Sequence, residues 1–297
     1  MTTKTIKHPL SAWHFLEVLL FIGPAAMFLI VFWILPILGS LGVSFTDWDF
    51  MSDGFQITGI QNYRSLLRDK NFLSAMEHTL LFACYTVLPG CGIGLILAVL
   101  VHAAGRHTPY AACLLAPWIT PTVAVSIVWI WIFEPDRGLA NGLLQWLGLR
   151  GLPWLQSSST ALAAVSIVTV WKNLGYVMLL FLGPLSQIPK EYYEAAALDG
   201  AGVLQRFRKI TLPLLAPSTC FVGLIMTVES LRAYDQIQIL TQGGPAGSTR
   251  TLLYLYYQLG FEQFRMGQAA AAVVILTIIG LFLAWVQNRV KGVFYEI

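Results

Sequence analysis

The chain has 297 residues, of which 57% are hydrophobic and 11% charged, with mean hydropathy +0.68 and net charge +3. A soluble domain carries about 25% charged and about 45–50% apolar residues, so a bilayer is the expected solvent. The positive residues are few and dispersed, which argues against a nucleic-acid-binding surface.

Charge-free apolar runs of about 20 residues mark candidate membrane helices. Val18–Thr46 is the first, read as a span over 16–44. It is too long for a signal-peptide core and no small-residue cleavage site follows, so it is read as a retained helix after a short terminus, 1–15. Asp47, Asp49, Asp53 and Asp69 then fall in an outer segment. The second span covers 79–104 and contains Gly90, Gly92 and Gly94. This is not a phosphate loop, because it lacks the Lys-Ser/Thr ending and sits in an apolar run. Gly90 and Gly94, four residues apart, suit close helix contact instead. His102 and His107 flank Arg106 in a polar break, read as a membrane surface and not a metal site.

The third span covers 109–134, followed by a segment rich in Gly, Ser and Pro. The fourth covers 160–187 with one charge, Lys172; the fifth covers 214–240 with Glu229, Arg232 and Asp235. A third outer segment contains the turn signal Gly243-Gly244-Pro245. The sixth span covers 267–288, and a short terminus, 291–297, closes the chain. The sequence therefore predicts an all-α polytopic membrane protein with six transmembrane helices in one domain, 16–290. Cys84, Cys91, Cys113 and Cys220 all lie in apolar runs without a CxxC pair and are read as buried small hydrophobes.

Between the fourth and fifth spans lies a polar loop, 189–213, containing EAAALDGAGVLQRFRKITLP. Pro189 suits the first position of a helix, where its missing N–H costs nothing. Glu191 and Glu194 complement the helix dipole. Ala195, Ala196 and Ala197 favour helix with little bulk, and Gly200 can close it in a left-handed conformation. A second short helix is expected over Val203–Lys209, with Pro213 restarting a helix into the bilayer.

The spacing of Glu194, Ala195, Ala196, Gly200, Ile210, Leu212 and Pro213 resembles the signature loop of permease subunits in binding-protein-dependent ABC importers. Pro117-Trp118-Ile119-Thr120-Pro121, Trp129, Gly138-Leu139-Ala140-Asn141, Trp171-Lys172, Asp199-Gly200-Ala201 and Thr241–Pro245 resemble the sugar-permease branch, of the maltose and glycerol-3-phosphate type. The resemblance implies a type I importer permease fold, with Glu194, Ala195, Ala196, Asp199, Gly200, Ile210, Leu212 and Pro213 coupling to a separate ATPase. It further implies a second permease subunit, two ATP-binding subunits and an extracytoplasmic solute-binding protein. The chain contains no P-loop, so ATP and Mg²⁺ belong to the ATPase partner and no cofactor is expected here.

Lys and Arg are nearly balanced between the two sides, so the positive-inside rule orients the chain only weakly. Placing the signature loop on the ATPase side makes both termini cytoplasmic, in a bacterial inner membrane. A charge at mid-membrane costs about 2.5–3.5 kcal/mol on insertion scales, so Lys172 must face protein or water. Lys172, with Trp171, Asn173 and Tyr176 beside it, is a candidate lining of a solute pathway; stable packing is the alternative role. Glu229, Arg232 and Asp235 recur every three residues, placing them on one helix face. They read either as a self-neutralising ladder or as part of that pathway. A self-sufficient transporter or channel stays open as an alternative, although no internal repeat is evident. A membrane enzyme would need a nucleophile with its base, and no such cluster is evident.

Overall fold

The computed structural model describes residues 12–295 except Asp53 and Arg106. Lys4, Lys7, most of the predicted terminal segment 1–15 and the last two residues lie outside the described residues. Among those described, the only extended pairing is an antiparallel bridge between Thr46 and Ile57; all else is helix and loop. Four helices are long and apolar enough to cross a membrane, or six if each of two bent pairs is one span.

The first apolar run folds as α1 (Ala12–Leu29), a π-helical turn at Ile30–Ile34, and α2 (Leu35–Val43). After a loop and α3 (Gln61–Leu66), α4 runs over Lys70–Ala103. It starts well before the predicted 79–104 because Asp69 caps it, its side chain accepting from the Asn71 N–H at 2.8 Å. A Ser/Thr/Asn/Asp cap sets a helix start irrespective of the hydropathy that follows.

The third run is not one straight helix. It folds as α5 (His107–Ile119) and α6 (Thr122–Ile132), bent by 99°. Pro121 lacks an N–H and disfavours helical geometry at Thr120, so the ladder stops there. A short amphipathic helix, α7 (Leu139–Trp146), follows in the segment between the third and fourth runs. The fourth run, predicted over 160–187, is α8 (Ala161–Ser186).

Beyond the loop helices α9 (Lys190–Leu198), α10 (Val203–Arg206) and α11 (Leu212–Leu214) comes α12 (Ala216–Leu231). The Val203–Leu214 stretch and α12 meet at 68°. The predicted 214–240 helix ends at Leu231; Arg232–Tyr234 break it, and α13 (Asp235–Leu240) restarts it. Next is α14 (Leu252–Tyr257), leading to α15 (Met266–Tyr295), which extends past the predicted 267–288.

α4 and α8 form the axis of the bundle, packing along their lengths. Burial ranks the helices: half of the apolar window of α8 is buried (50%), against 0% for Leu20–Val43. The core has three layers. One, around Phe181, Met178 and Met226, joins α4, α8 and α12. A second, around Phe82, Val165 and Ile237, joins α4, α8 and α13. The third, around Phe72, Leu252 and Ala272, joins α4, α14 and α15. Gly90 and Gly94 do permit close approach: a Cβ on Gly94 would collide with Val177 of α8, and one on Gly90 would press on Met226 of α12. Gly175 plays the same role towards α5, where a Cβ would overlap the Leu114 carbonyl. The four cysteines are free thiols, but none is buried: Cys84 and Cys113 are exposed and Cys91 and Cys220 half-buried. The expectation that they fill the core is corrected. They sit on apolar surface, where a small polarisable side chain is equally at home.

Overpacking a tight contact costs about 1–3 kcal/mol. Gly175→Val is therefore expected to lower the thermal midpoint of the purified protein by several degrees. Gly92→Val, where a Cβ meets nothing within 4 Å, should leave the midpoint near that of the parent. Equal behaviour of the two would show that the α5–α8 contact is not tight.

Candidate functional site

The loop between α8 and α12 is a hydrogen-bonded corner. Pro189 occupies the N-cap of α9 with φ −59° and ψ 135°, one position earlier than predicted; Lys190 is the first helical residue. Three bonds close the other end. Asp199 N–H donates to Ala195 C=O at 3.1 Å, Gly200 N–H to Ala197 C=O at 3.0 Å, and Ala201 N–H to Ala196 C=O at 2.9 Å. The last two are the paired bonds of a Schellman motif, which places the residue after the cap in the left-handed region. Gly200 is there, with φ +79°, and nothing lies within 4 Å of a Cβ built on it. Backbone conformation alone, not crowding, selects glycine.

The return arm differs from the predicted Val203–Lys209 helix. α10 passes into a π-helical turn at Phe207–Thr211 and then α11. Pro213 sits inside this arm and does not start the membrane helix; the 68° change of direction comes at Leu215, before Pro217 in the first turn of α12. The Tyr193 and Thr211 hydroxyls meet at 3.0 Å and tie the two arms together. A cleft of about 270 Å³ beneath the corner is lined by Val99, Leu185, Tyr193 and Phe207 among others, seating the loop on the ends of α4 and α8.

The corner points outward. Leu198 is 91% and Val203 78% exposed, and Tyr192 and Leu204 are also exposed. Glu194, Ala195, Asp199, Gly200, Leu212 and Pro213 are exposed, while Ala196 and Ile210 are half-buried. Large apolar side chains held in the open on a hydrogen-bonded frame mark a surface that contacts either another protein or the membrane.

The second group of candidates surrounds the break between α5 and α6. A helix end leaves carbonyls without intrahelical partners. Lys172, half-buried on α8, donates from Nζ to the Trp118 carbonyl at 3.0 Å. A cation at a helix C-terminus also meets the negative end of its dipole. The charges of Asp235 and Glu229 lie within electrostatic reach of the ammonium. Through this hydrogen bond Lys172 ties α8 to the end of α5.

The ladder expected of Glu229, Arg232 and Asp235 does not form. Glu229 is in the last turn of α12, Arg232 is its C-cap and Asp235 opens α13. The intervening break destroys the common helix face, and all three side chains are exposed. Of the aromatic and amide candidates, Tyr176 stacks on Trp118 with centroids 4.7 Å apart at 9°. Trp171 meets Trp129 edge-on at 5.5 Å. The Asn173 amide donates to the Thr169 carbonyl of its own helix at 2.9 Å.

Several groups escaped the sequence. Gln236 bridges to the Thr169 hydroxyl at 3.3 Å, and Tyr234, Tyr254 and Tyr257 form one ring cluster. Neither has a sequence signal. The break at Thr120-Pro121 did have one, since the residue before proline avoids helix.

A family model described as binding-protein-dependent transport system inner membrane component matches residues 90–291. The chain belongs to this permease family. The sn-glycerol-3-phosphate transport system permease protein UgpA of Escherichia coli is 32% identical over 274 residues, 91% of this chain and 92% of its own. The sulfoquinovosyl glycerol transport system permease protein SmoG of Agrobacterium fabrum is 31% identical, covering 91% and 89%. Among solved structures, a bacterial alginate ABC transporter in complex with an alginate pentasaccharide-bound periplasmic protein superposes with TM-score 0.78. That match has 22% identity and covers 93% of each chain. The permease fold expected from the signature loop is the fold found.

Leaving a carbonyl at a helix end without its donor costs up to about 1–3 kcal/mol where water does not replace the donor. The permease carrying Lys172→Met is therefore expected to unfold at lower denaturant than the parent, and Lys172→Arg to recover part of the loss. Identical unfolding midpoints for Lys172→Met and the parent would refute the capping role.

Proposed function

We propose that this permease is one membrane subunit of an ATP-driven importer for a sugar or related polyol, glycerol-3-phosphate included. An extracytoplasmic binding protein delivers the solute, a second permease subunit completes the pore, and two ATP-binding subunits drive it. The observation that carries the reading is the corner at 190–214: a stiff, outward-facing helix–turn–helix with exposed Leu198 and Val203, seated on α4 and α8. Such a part receives a push from a docked partner and passes it to the bundle axis without absorbing it.

Glu194, Ala195, Ala196, Asp199, Gly200, Ile210, Leu212 and Pro213 form or support the docking face. Small alanines let a partner surface approach the α9 backbone, and the carboxylates of Glu194 and Asp199 offer charge at its edge. The corner and both termini lie on the cytoplasmic side of the bacterial inner membrane, where ATP and Mg²⁺ bind the partner ATPase. Relatives whose names specify sn-glycerol-3-phosphate and sulfoquinovosyl glycerol support this solute class. Along the pathway, Trp171 and Tyr176 offer aromatic faces, Asn173 an amide, and Lys172, Glu229, Arg232 and Asp235 charged contacts for a hydroxyl-rich solute.

The test uses the complete importer reconstituted in liposomes. Proline cannot adopt φ +79°, so Gly200→Pro is expected to cut solute uptake at least tenfold. The permease should still insert, and the ATPase should keep hydrolysing ATP without matching transport. Uptake at the parental rate by this variant would reject the coupling role, and uptake by the permease alone without ATP would reject the importer reading.

A further inference from the structure

α7 is built inside out for a water-facing helix. Its apolar residues Leu139, Leu143, Trp146 and Leu147 follow the i, i+4, i+7, i+8 pattern, within an arc of roughly 100° at helical spacing. That arc is exposed: Leu139 by 75% and Trp146 by 81%. The opposite side carries Asn141, which is only 3% exposed. The Asn141 amide N–H groups donate to the Pro135 carbonyl at 2.8 Å and the Leu152 carbonyl at 3.0 Å. Its oxygen accepts from the Leu152 N–H at 2.9 Å and the Trp154 Nε1–H at 2.8 Å. A fully satisfied buried amide is a strong anchor, and it fixes which way the helix faces. Gly148, at φ +74°, closes the helix with the same paired bonds that close α9: Leu149 N–H to Leu144 C=O at 2.8 Å and Gly148 N–H to Gln145 C=O at 2.9 Å.

We propose that α7 lies along the headgroup–acyl boundary of the bilayer, its leucines and Trp146 turned into the lipid. Three observations select lipid as the occupant. The helix follows directly on α6, whose exposed Ile127, Val128 and Trp131 bring an apolar surface up to it. No charged residue falls between Leu139 and Leu149, but exposed Arg137 and Arg150 bracket the stripe, where guanidinium groups meet lipid phosphate. Tryptophan at such a boundary is the residue expected of an interfacial helix. Held this way, α7 fixes the depth of the segment joining α6 to α8 and so braces the outer end of the broken α5–α6 pair. The inference rests only on the chain being a multi-pass membrane protein, not on its coupling or cargo.

The test compares tryptophan fluorescence of the permease and its Trp146→Phe variant in bilayers of dibrominated phosphatidylcholine. The Trp146 component, taken by difference, should lose more than half its intensity with bromines at acyl carbons 6 and 7. It should lose less at carbons 11 and 12, and iodide in the water should barely touch it. In the Trp146→Phe background, a tryptophan replacing Gln145, which is exposed on the Asn141 side of the helix, should escape bromine quenching. A Trp146 component quenched by iodide and not by bromine would overturn the proposal. So would protection appearing only on addition of a second permease subunit or a binding protein, and so would equal quenching at both positions.

Discussion

Inside a membrane every backbone polar group must find its partner within the protein, yet this chain bends two of its membrane-length segments sharply. The 99° turn between α5 and α6 frees carbonyls at the end of α5, and Lys172 reaches across from α8 and donates to one of them, that of Trp118. That one contact answers two costs together, an orphaned helix end and an intramembrane cation. It also explains why α8 is the most buried of the membrane-length helices, since α8 must hold α5, α4 and α12 in register for the lysine to arrive. Gly175 and Gly94 allow the approach by removing the side chains that would hold α5 and α8 away.

The second bend, between the Val203–Leu214 arm and α12, is handled differently. There Leu215 at the bend is buried, its N–H donates to the Thr211 carbonyl at 3.0 Å and its carbonyl accepts from the Thr219 N–H at 2.8 Å, so no long-range charge is needed. What stiffens it is local: the Schellman closure at Gly200 and the Tyr193–Thr211 hydroxyl pair. The two bends thus divide the work. One is locked by a long-range charge inside the bundle, and the other is a stiff part presented to the outside.

How far the sequence could be read follows from this division. The first arm of the corner, α9 and its Gly200 closure, was legible almost residue by residue, because proline, alanine and glycine act on their own backbone and need no distant partner; the return arm was not, since the helix expected over Val203–Lys209 passes into a π-helical turn and Pro213 falls inside it. α8 was legible because a long apolar run with a single charge has few alternatives. The α5–α6 bend was missed because hydropathy sees an unbroken apolar run, although Thr120-Pro121 carried the signal. The ladder of Glu229, Arg232 and Asp235 was misread for the same reason: spacing presumes a continuous helix, and the helix stops at Leu231. That Lys172 shares its surroundings with Asp235 and Glu229 is a tertiary fact with no local trace.

To pass on a push from a docked partner, the 190–214 corner must move as one piece. Its direct test is dipolar EPR between spin labels at Leu198 and Leu204, in the assembled importer with Cys84, Cys91, Cys113 and Cys220 replaced. A rigid corner predicts a narrow interlabel distance that stays the same with and without ATP, while a label at Leu198 shifts relative to one on the outer segment, at Trp146. A broad Leu198–Leu204 distribution, or one that changes with nucleotide, would contradict it.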